Sequence, residues 1–321
     1  MGLQTNDFIL YGYPHSPFTQ RVMMVMHLYG IKNYKLILFP TAAMFKLNGF
    51  VMPMLEHKDH VIYDSFNIIE YIINHFSKPV KKRKFFVHND KISSYNQLDK
   101  LFESYVLSRR YWYKSALFFR SCFYTIDMCE MSNFDLIKMP TCPLYMFTIL
   151  QWTRILFFNS PSINKEMMNN ALSHFDNFVK TESDYHSSDD ITLMDLTLYS
   201  HIQCMCCSLT DETLPFIFQH SNLIKWIHKM NITFSDYPYK FTSCMIPEQF
   251  LKLLEMPINE RAPHFIQNRV KYKVEMDTSQ KATFLSSFII QILLSPLLGL
   301  FFCIPAFKRK SGMVHIDKKI C

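Results

Sequence analysis

Three short stretches carry side chains whose type and spacing suit chemistry at the end of a helix. The first, Tyr13-Pro14-His15-Ser16-Pro17-Phe18, is a turn that hands a hydroxyl to a helix start. In the second, Val51-Met52-Pro53-Met54, a proline opens an apolar strand. The third, Asp64-Ser65, stands where a further apolar strand gives way to a helix. Proline lacks an N–H and suits a central ladder poorly. Pro53 fits a strand start, a cis bond being one route, and leaves the backbone of Met52 to pair with something else. At Asp64-Ser65, side-chain oxygens and unsatisfied backbone N–H groups make a polar end that tolerates an anion. Ser16 stands at another such end. Its plain alternative is a helix cap, because Ser is preferred there in any protein.

These residues need elements to position them. Phe8-Ile9-Leu10-Tyr11-Gly12-Tyr13 reads as a buried strand. A helix follows from about Thr19 to Tyr29, with Val22, Val25, Met26 and Tyr29 on one face and Gly30 just past its end. Tyr34 to Phe39 reads as a second strand, which makes a right-handed parallel crossover. Around Pro53, two short strands flank the polar turn His57-Lys58-Asp59-His60. A helix then presents Phe66, Ile69, Ile72 and Ile73 on one face. The order is βαβ, then ββα.

This layout resembles the glutathione-binding half of the glutathione transferase superfamily, a thioredoxin-like domain. The run from Tyr13 to Val22 looks like the x-Ser/Cys-Pro-Phe-x-x-Arg-Val segment of members with serine or cysteine at the reactive position. The resemblance implies that Ser16 is catalytic, its hydroxyl donating to a glutathione thiolate. A free thiol has a pKa of about 8.5 and is mostly protonated at neutral pH, so a hydrogen bond and a helix N-terminus favour the anion. It implies further that Met52, before Pro53, pairs with the cysteinyl part of glutathione, and that Asp64 and Ser65 hold the γ-glutamyl group. Glutathione is then the substrate, no metal is called for, and there is room for a homodimer. His15 reads as a surface residue. The Pro40–Met52 connection has thirteen residues, shorter than the family's helix-bearing loop. Val51 replaces the basic residue that many members carry there, for which Lys46 is a substitute.

With 321 residues, 49% hydrophobic and 16% aromatic, the chain fills about two domains. Residues 1–78 are expected to form the thioredoxin-like glutathione-binding domain, 79–88 a basic linker and 89–245 an all-α domain. In the latter, Ile92, Tyr95, Leu98, Leu101, Phe102, Tyr105 and Val106 keep helical spacing. Leu144 to Phe158 reads as a core helix. Met167, Met168, Leu172, Phe175 and Phe178 mark the next. Thr192 and Asp195 form a capping box, with Ile191 and Leu196 as its staple. This resembles the Ser/Thr-x-x-Asp signature before the buried helix of the transferase C-terminal domain. The helix after it, Leu196 to Leu209, is nearly all apolar and therefore central. Phe216 to Met230 makes a further helix, and another lies around Pro247–Leu254. Tyr105, Tyr111 and Trp112 are candidates for an acceptor site.

The net charge of +7 is concentrated in two clusters, Lys78–Lys84 and Lys308–Lys319. Neither interleaves with aromatics, so nucleic acid is not an expected partner. The nine cysteines show no zinc-ribbon pattern of paired spacings; Cys204, Cys206 and Cys207 fall in one apolar run, and the set reads as reduced, packed thiols. Residues 246–281 form a juxtamembrane segment. Residues 282–307 contain twenty-six positions without a charge, bounded by Lys281 and by Lys308-Arg309-Lys310. At about 1.5 Å per residue this exceeds the ~30 Å hydrocarbon core. A single membrane-spanning anchor in contact with lipid is expected there, with 308–321 as a basic tail. Pro296 and Gly299 allow a re-entrant hairpin instead. The terminal Lys318-Lys319-Ile320-Cys321 resembles a dilysine retrieval signal. The expected fold is an α/β thioredoxin-like domain followed by an all-α helical domain, plus one C-terminal transmembrane helix. The expected location is an organelle membrane, endoplasmic reticulum or mitochondrial outer membrane, with the globular part in the cytosol. Two functions fit: a membrane-tethered transferase conjugating glutathione to an apolar electrophile, or a non-catalytic interaction module of the same fold. The latter is the use made of it by the metaxins and the ganglioside-induced differentiation-associated proteins, and the short Pro40–Met52 connection favours it.

Overall fold

The computed structural model describes residues 8–12, 16–37, 52–76, 85–86, 165–181, 191–206, 211–238, 245–269, 277–287, 289–290, 293–294 and 312–315. Its first elements are β1 (Phe8–Tyr11), α1 (Pro17–Leu28), β2 (Lys35–Ile37), β3 (Met54–His57), β4 (His60–Tyr63) and α2 (Ser65–His75). Then come β5 (Phe85–Phe86), α3 (Lys165–Thr181), β6 (Ile191–Thr192) and α4 (Leu193–Cys204). A 3₁₀ turn at Asp211–Thr213 leads into α5 (Leu214–Phe218), α6 (Ser221–Thr233), α7 (Pro247–Leu254) and α8 (Ile258–Asn268). The last is β7 (Gly312–His315). Lys46, Tyr105, Tyr111, Trp112 and the helices expected over Ile92–Val106 and Leu144–Phe158 lie outside the described residues.

The chain divides into two units. The first contains a five-stranded sheet of order β2-β1-β3-β4-β7. β1 and β2 are parallel, and β3 and β4 run antiparallel to their neighbours. This is the thioredoxin-like arrangement, reached by the βαβ and ββα order. α1 begins with Pro17 at its first position, where a missing N–H costs nothing. It is buried from Thr19 to Met26, the sequence of a helix enclosed on most sides. It ends in a Schellman motif. Gly30, at φ 72°, donates to the His27 carbonyl (3.0 Å) and Ile31 to that of Met26 (2.9 Å). The Lys58-Asp59 turn joins β3 to β4 with Lys58 at φ 56°, as a two-residue hairpin requires. His57, expected in the polar turn, is instead buried at the end of β3. It stacks on Phe8 and hydrogen-bonds the Tyr71 hydroxyl through Nδ1 (2.8 Å).

Gly12 follows β1 and donates to the Ile37 carbonyl (2.9 Å). A methyl group placed there would stand 2.6 Å from Thr19 Oγ1 and 2.7 Å from its Cγ2. Gly12→Ala is therefore expected to cost about 1–3 kcal/mol through overpacking. Chemical denaturation should show the loss, and adding Thr19→Ala should restore most of it. An unrescued double variant would overturn the Thr19 contact as the cause.

The second unit is helical, with a short parallel pair, β5 on β6, inside the region expected as linker and cap. The capping box forms as expected. The Thr192 hydroxyl accepts from Asp195 N–H, and Asp195 Oδ2 accepts from Thr192 N–H (2.9 Å). Ile191 and Leu196 are both buried beside it. Every residue of α4 is buried, which makes it the centre of this unit. Asp176 of α3 accepts from Leu223 N–H (2.8 Å) and so closes the start of α6. Arg261 of α8 donates to the Phe218 carbonyl (3.0 Å) at the end of α5.

Of the transmembrane helix expected over 282–307, residues 288, 291–292 and 295–307 lie outside the described residues. Among the described residues, no helix is long and apolar enough to cross a membrane. Residues 312–315, expected within a basic tail, form the edge strand of the first unit's sheet.

Candidate functional site at two helix N-termini

Two helices of the first unit begin at the polar ends singled out by sequence. Ser16 is the N-cap residue of α1, with extended backbone (φ −79°, ψ 128°). Its carbonyl accepts from Gln20 N–H (2.9 Å), which fixes it at the helix start. Its side chain makes no cap hydrogen bond. The hydroxyl is half-buried and uncommitted to the role that serine most often plays there.

Asp64 is the N-cap residue of α2 and takes that role in full. Its Oδ1 accepts from Phe66 N–H (2.9 Å). It does so at φ 77° and ψ 136°, a region that costs a side-chain-bearing residue about 1–3 kcal/mol. Asn67 donates to the Tyr63 carbonyl (3.0 Å) and fastens the same turn. Ser65, the next residue, is only 2% exposed.

What brings the two helix ends together is Arg21. Its guanidinium donates to Ser65 Oγ from both Nε (2.9 Å) and an Nη (2.6 Å). It lies over the Phe18 ring at 4.9 Å and the Phe66 ring at 4.1 Å, one ring from the first turn of each helix. Arg21 is 1% exposed. Both lone pairs of Ser65 Oγ are engaged by these donors, so its own O–H is directed elsewhere, as a donor. A buried cation and two helix N-termini make this corner of the unit electropositive.

The third predicted stretch stands beside it. The Met52–Pro53 bond is cis. The ladder of β3 begins at Met54, opposite Tyr11 on one side and Tyr63 on the other, so Met52 lies just outside it. It is half-buried and packs against the core cluster formed by Tyr11, Met54, Val61 and Tyr63, the last of which precedes Asp64. Ser16, Met52, Pro53, Asp64 and Ser65 thus all fall at the ends of β3, β4, α1 and α2. Sequence reasoning passed over Arg21 as a site residue. Its signal was a lone charge on an otherwise apolar face between Phe18 and Val22. Thr192 and Asp195 belong to the helical unit and act as the cap described above. Among the described residues, no group of three or more His, Cys, Asp or Glu side chains could hold a metal ion.

Residues 15–75 match the family model of the glutathione S-transferase N-terminal domain. The match begins beside Ser16 and ends with α2. Comparison with curated proteins gives no match. Among solved structures, the chain is similar to a delta-class glutathione transferase of Nilaparvata lugens. Identity is 16%, over 77% of this chain and 99% of that one, with a TM-score of 0.43. It is similar to a glutathione transferase of Phanerochaete chrysosporium in complex with oxidized glutathione. There identity is 16%, over 80% and 97% of the two chains, with a TM-score of 0.42. For glutathione transferase E6 of Drosophila melanogaster the values are 16% identity, 83% and 100% coverage, and a TM-score of 0.40.

Proposed function

We propose that this chain conjugates glutathione to an apolar electrophile while tethered to an organelle membrane through residues 282–307, its globular part facing the cytosol. The Ser16 hydroxyl, left without a cap hydrogen bond at the start of α1, supports this reading most directly. So does the match of residues 15–75 to a glutathione transferase domain. In this reading the Ser16 O–H donates to the glutathione sulfur, and the α1 N-terminus adds its positive end. Together they favour thiolate over thiol. The sulfur lone pair then forms the C–S bond to the electrophile as the leaving group departs with its electrons. Met52 supplies backbone to the cysteinyl part of the peptide. Asp64 and Ser65 stand at the α2 N-terminus, where free N–H groups suit the γ-glutamyl carboxylate.

Full-length protein in detergent should bind glutathione at millimolar concentration or below by calorimetry. Ser16→Ala should lower conjugating turnover with an aryl halide on the order of a hundredfold, as removal of one transition-state donor does. Glutathione affinity should change far less. Equal turnover in the variant would remove Ser16 from the chemistry.

One observation favours the second reading, a non-catalytic interaction module. The Asp64 carboxylate already caps α2, and Ser65 is buried against Arg21. A folded chain without detectable glutathione binding would decide for the module.

A further inference from the structure

β7 joins the first unit's sheet beside the strand that leads into the candidate site. It pairs antiparallel with β4, His315 opposite His60 and Gly312 opposite Tyr63. Tyr63 is the last residue of β4, and Asp64 and Ser65 follow it directly. Hydrogen-bonded and non-hydrogen-bonded pairs alternate along an antiparallel ladder. His57 and His60 close a two-residue hairpin and exchange its first pair of bonds. Leu55 and Ile62 then form the next bonded pair, while Met54 and Tyr63 stand opposite each other unbonded. The backbone N–H and C=O of Val61 and Tyr63 therefore point away from β3 and toward β7. Gly312 is the ladder partner that Tyr63 meets there.

The residue after Tyr63 needs that support. Asp64 stands at φ 77° and ψ 136°, where a side-chain-bearing residue stays only if its surroundings over-determine it. On the helix side, Asp64 Oδ1 accepts from Phe66 N–H (2.9 Å) and the Asp64 carbonyl from Ile68 N–H (3.0 Å). On the strand side, Asn67 donates to the Tyr63 carbonyl (3.0 Å), and the ladder to Gly312 holds the Tyr63 backbone. Without β7, β4 would be the edge strand of the sheet, and the backbone of Tyr63 would be fastened to no neighbouring strand. β7 has only four residues, lies at the sheet edge and leaves Met313 53% exposed. A strand of that kind belongs to the least stable part of a fold and opens first.

We propose that β7 is a positioning strand for the candidate site. Docked on β4, it fixes the Tyr63–Asp64 junction; released, it lets that junction relax. Glutathione affinity then follows the state of a strand more than 240 positions later in the chain. The proposal rests on the glutathione reading for its ligand but not for its mechanics. Ser16 is spared, because β1, which precedes it, is separated from β7 by β3 and β4. Release of β7 acts on the γ-glutamyl end of the peptide, at Asp64 and Ser65, and not on the thiolate.

The test uses full-length protein in detergent, with hydrogen exchange read by mass spectrometry and glutathione affinity by calorimetry. Val314→Pro removes the N–H that β7 offers to Val61 in the ladder. The expected result is loss of protection over 312–315, faster exchange at Phe66 N–H and glutathione binding weakened on the order of tenfold. KM for glutathione should rise by the same factor while kcat at saturation stays near wild type. Val314→Ala keeps the N–H and should match wild type in every readout. Protection of 312–315 retained in Val314→Pro would overturn the ladder as what holds β7. Loss of that protection with Phe66 exchange unchanged would overturn the coupling to the junction. Faster Phe66 exchange with unchanged glutathione affinity would overturn the effect on binding. Loss of α1 protection as well would make β7 a prop of the whole unit and overturn its specific action on the site. The same defects in Val314→Ala would overturn the backbone argument. A wild type that binds no glutathione would overturn the transferase reading alone, with Phe66 exchange still deciding whether β7 holds the junction.

Discussion

Arg21→Ala is expected to unfold the first unit under conditions where the wild-type chain is stable. The guanidinium is 1% exposed, carries two hydrogen bonds to Ser65 Oγ and lies against two rings. Its removal takes away the cation–π contacts, about 0.5–2 kcal/mol each where desolvated. It leaves a buried Ser65 oxygen without donors, at about 1–3 kcal/mol. It also opens a cavity between α1 and α2, and large-to-small changes in cores add about 2 kcal/mol or more. A combined loss of about 4 kcal/mol is a large part of the 5–15 kcal/mol that typically holds a domain together. Arg21→Lys keeps the charge but not the planar fork, and should lose about half as much. The informative comparison is Arg21→Met with and without Ser65→Ala. Methionine keeps much of the volume, so its cost is chiefly the orphaned Ser65 oxygen, and deleting that oxygen should recover about 1–2 kcal/mol. Urea denaturation of all four chains measures the coupling. Strict additivity would mean that Arg21 acts through packing alone. Under the transferase reading, Arg21→Lys should also weaken glutathione binding, because it shifts the Ser65 O–H that the guanidinium orients.

The contrast between Ser65 and Arg21 shows what the sequence could disclose. Local signals of fixed spacing were legible: Ser16-Pro17 at a helix start, the cis Met52–Pro53 bond, Asp64 before α2, and the Thr192–Asp195 box. Each is decided within four residues by backbone chemistry that holds in any protein. The contacts that join these elements lie further apart. Arg21 and Ser65 are 44 positions apart, and Trp226 and Asp195 are 31 apart. Neither partner's type announces the other. His57 looked like a turn residue because histidine beside Lys-Asp reads as polar, and only the packing of Phe8 and Tyr71 around it makes it core. Asp64 gives no sign in sequence of its left-handed backbone. The largest miss was β7. Four residues between a basic cluster and the end of the chain carry too little alternation to stand out as a strand. Their partner β4 is some 250 positions earlier. The apolar content of 282–307 was plain from composition alone, whereas the pairing of 312–315 with β4 was not.

Asp195 should make the helical unit less stable as pH rises from about 4 to about 6. Its carboxylate accepts from Thr192 N–H (2.9 Å), the Thr192 hydroxyl (2.7 Å) and Trp226 Nε1–H (3.1 Å). Those bonds favour the charged form, yet burial outweighs them and pushes the carboxyl from 3.8 up to about 6. The folded state therefore binds this proton more tightly than the unfolded state. Below pH 4 both states are protonated and the group carries no penalty. Above pH 6 both are ionised and the penalty is complete. A difference of about two pH units corresponds to about 3 kcal/mol at 1.36 kcal/mol per unit. Asp195→Asn is neutral throughout. Subtracting its stability curve from that of the wild type should leave a slope confined to this window, since every other titrating group cancels. A flat difference curve would mean that the Thr192 and Trp226 bonds hold the carboxylate at its ordinary value. Asp195→Ala separates the charge from the cap. It also lacks the slope, but it loses the capping box, about 0.5–2 kcal/mol. It leaves the buried Trp226 N–H unpaired as well, about 1–3 kcal/mol. It should fall about 3 kcal/mol below Asp195→Asn at every pH, with α4 and α6 loosened together because Asp195 is where the start of one meets the middle of the other.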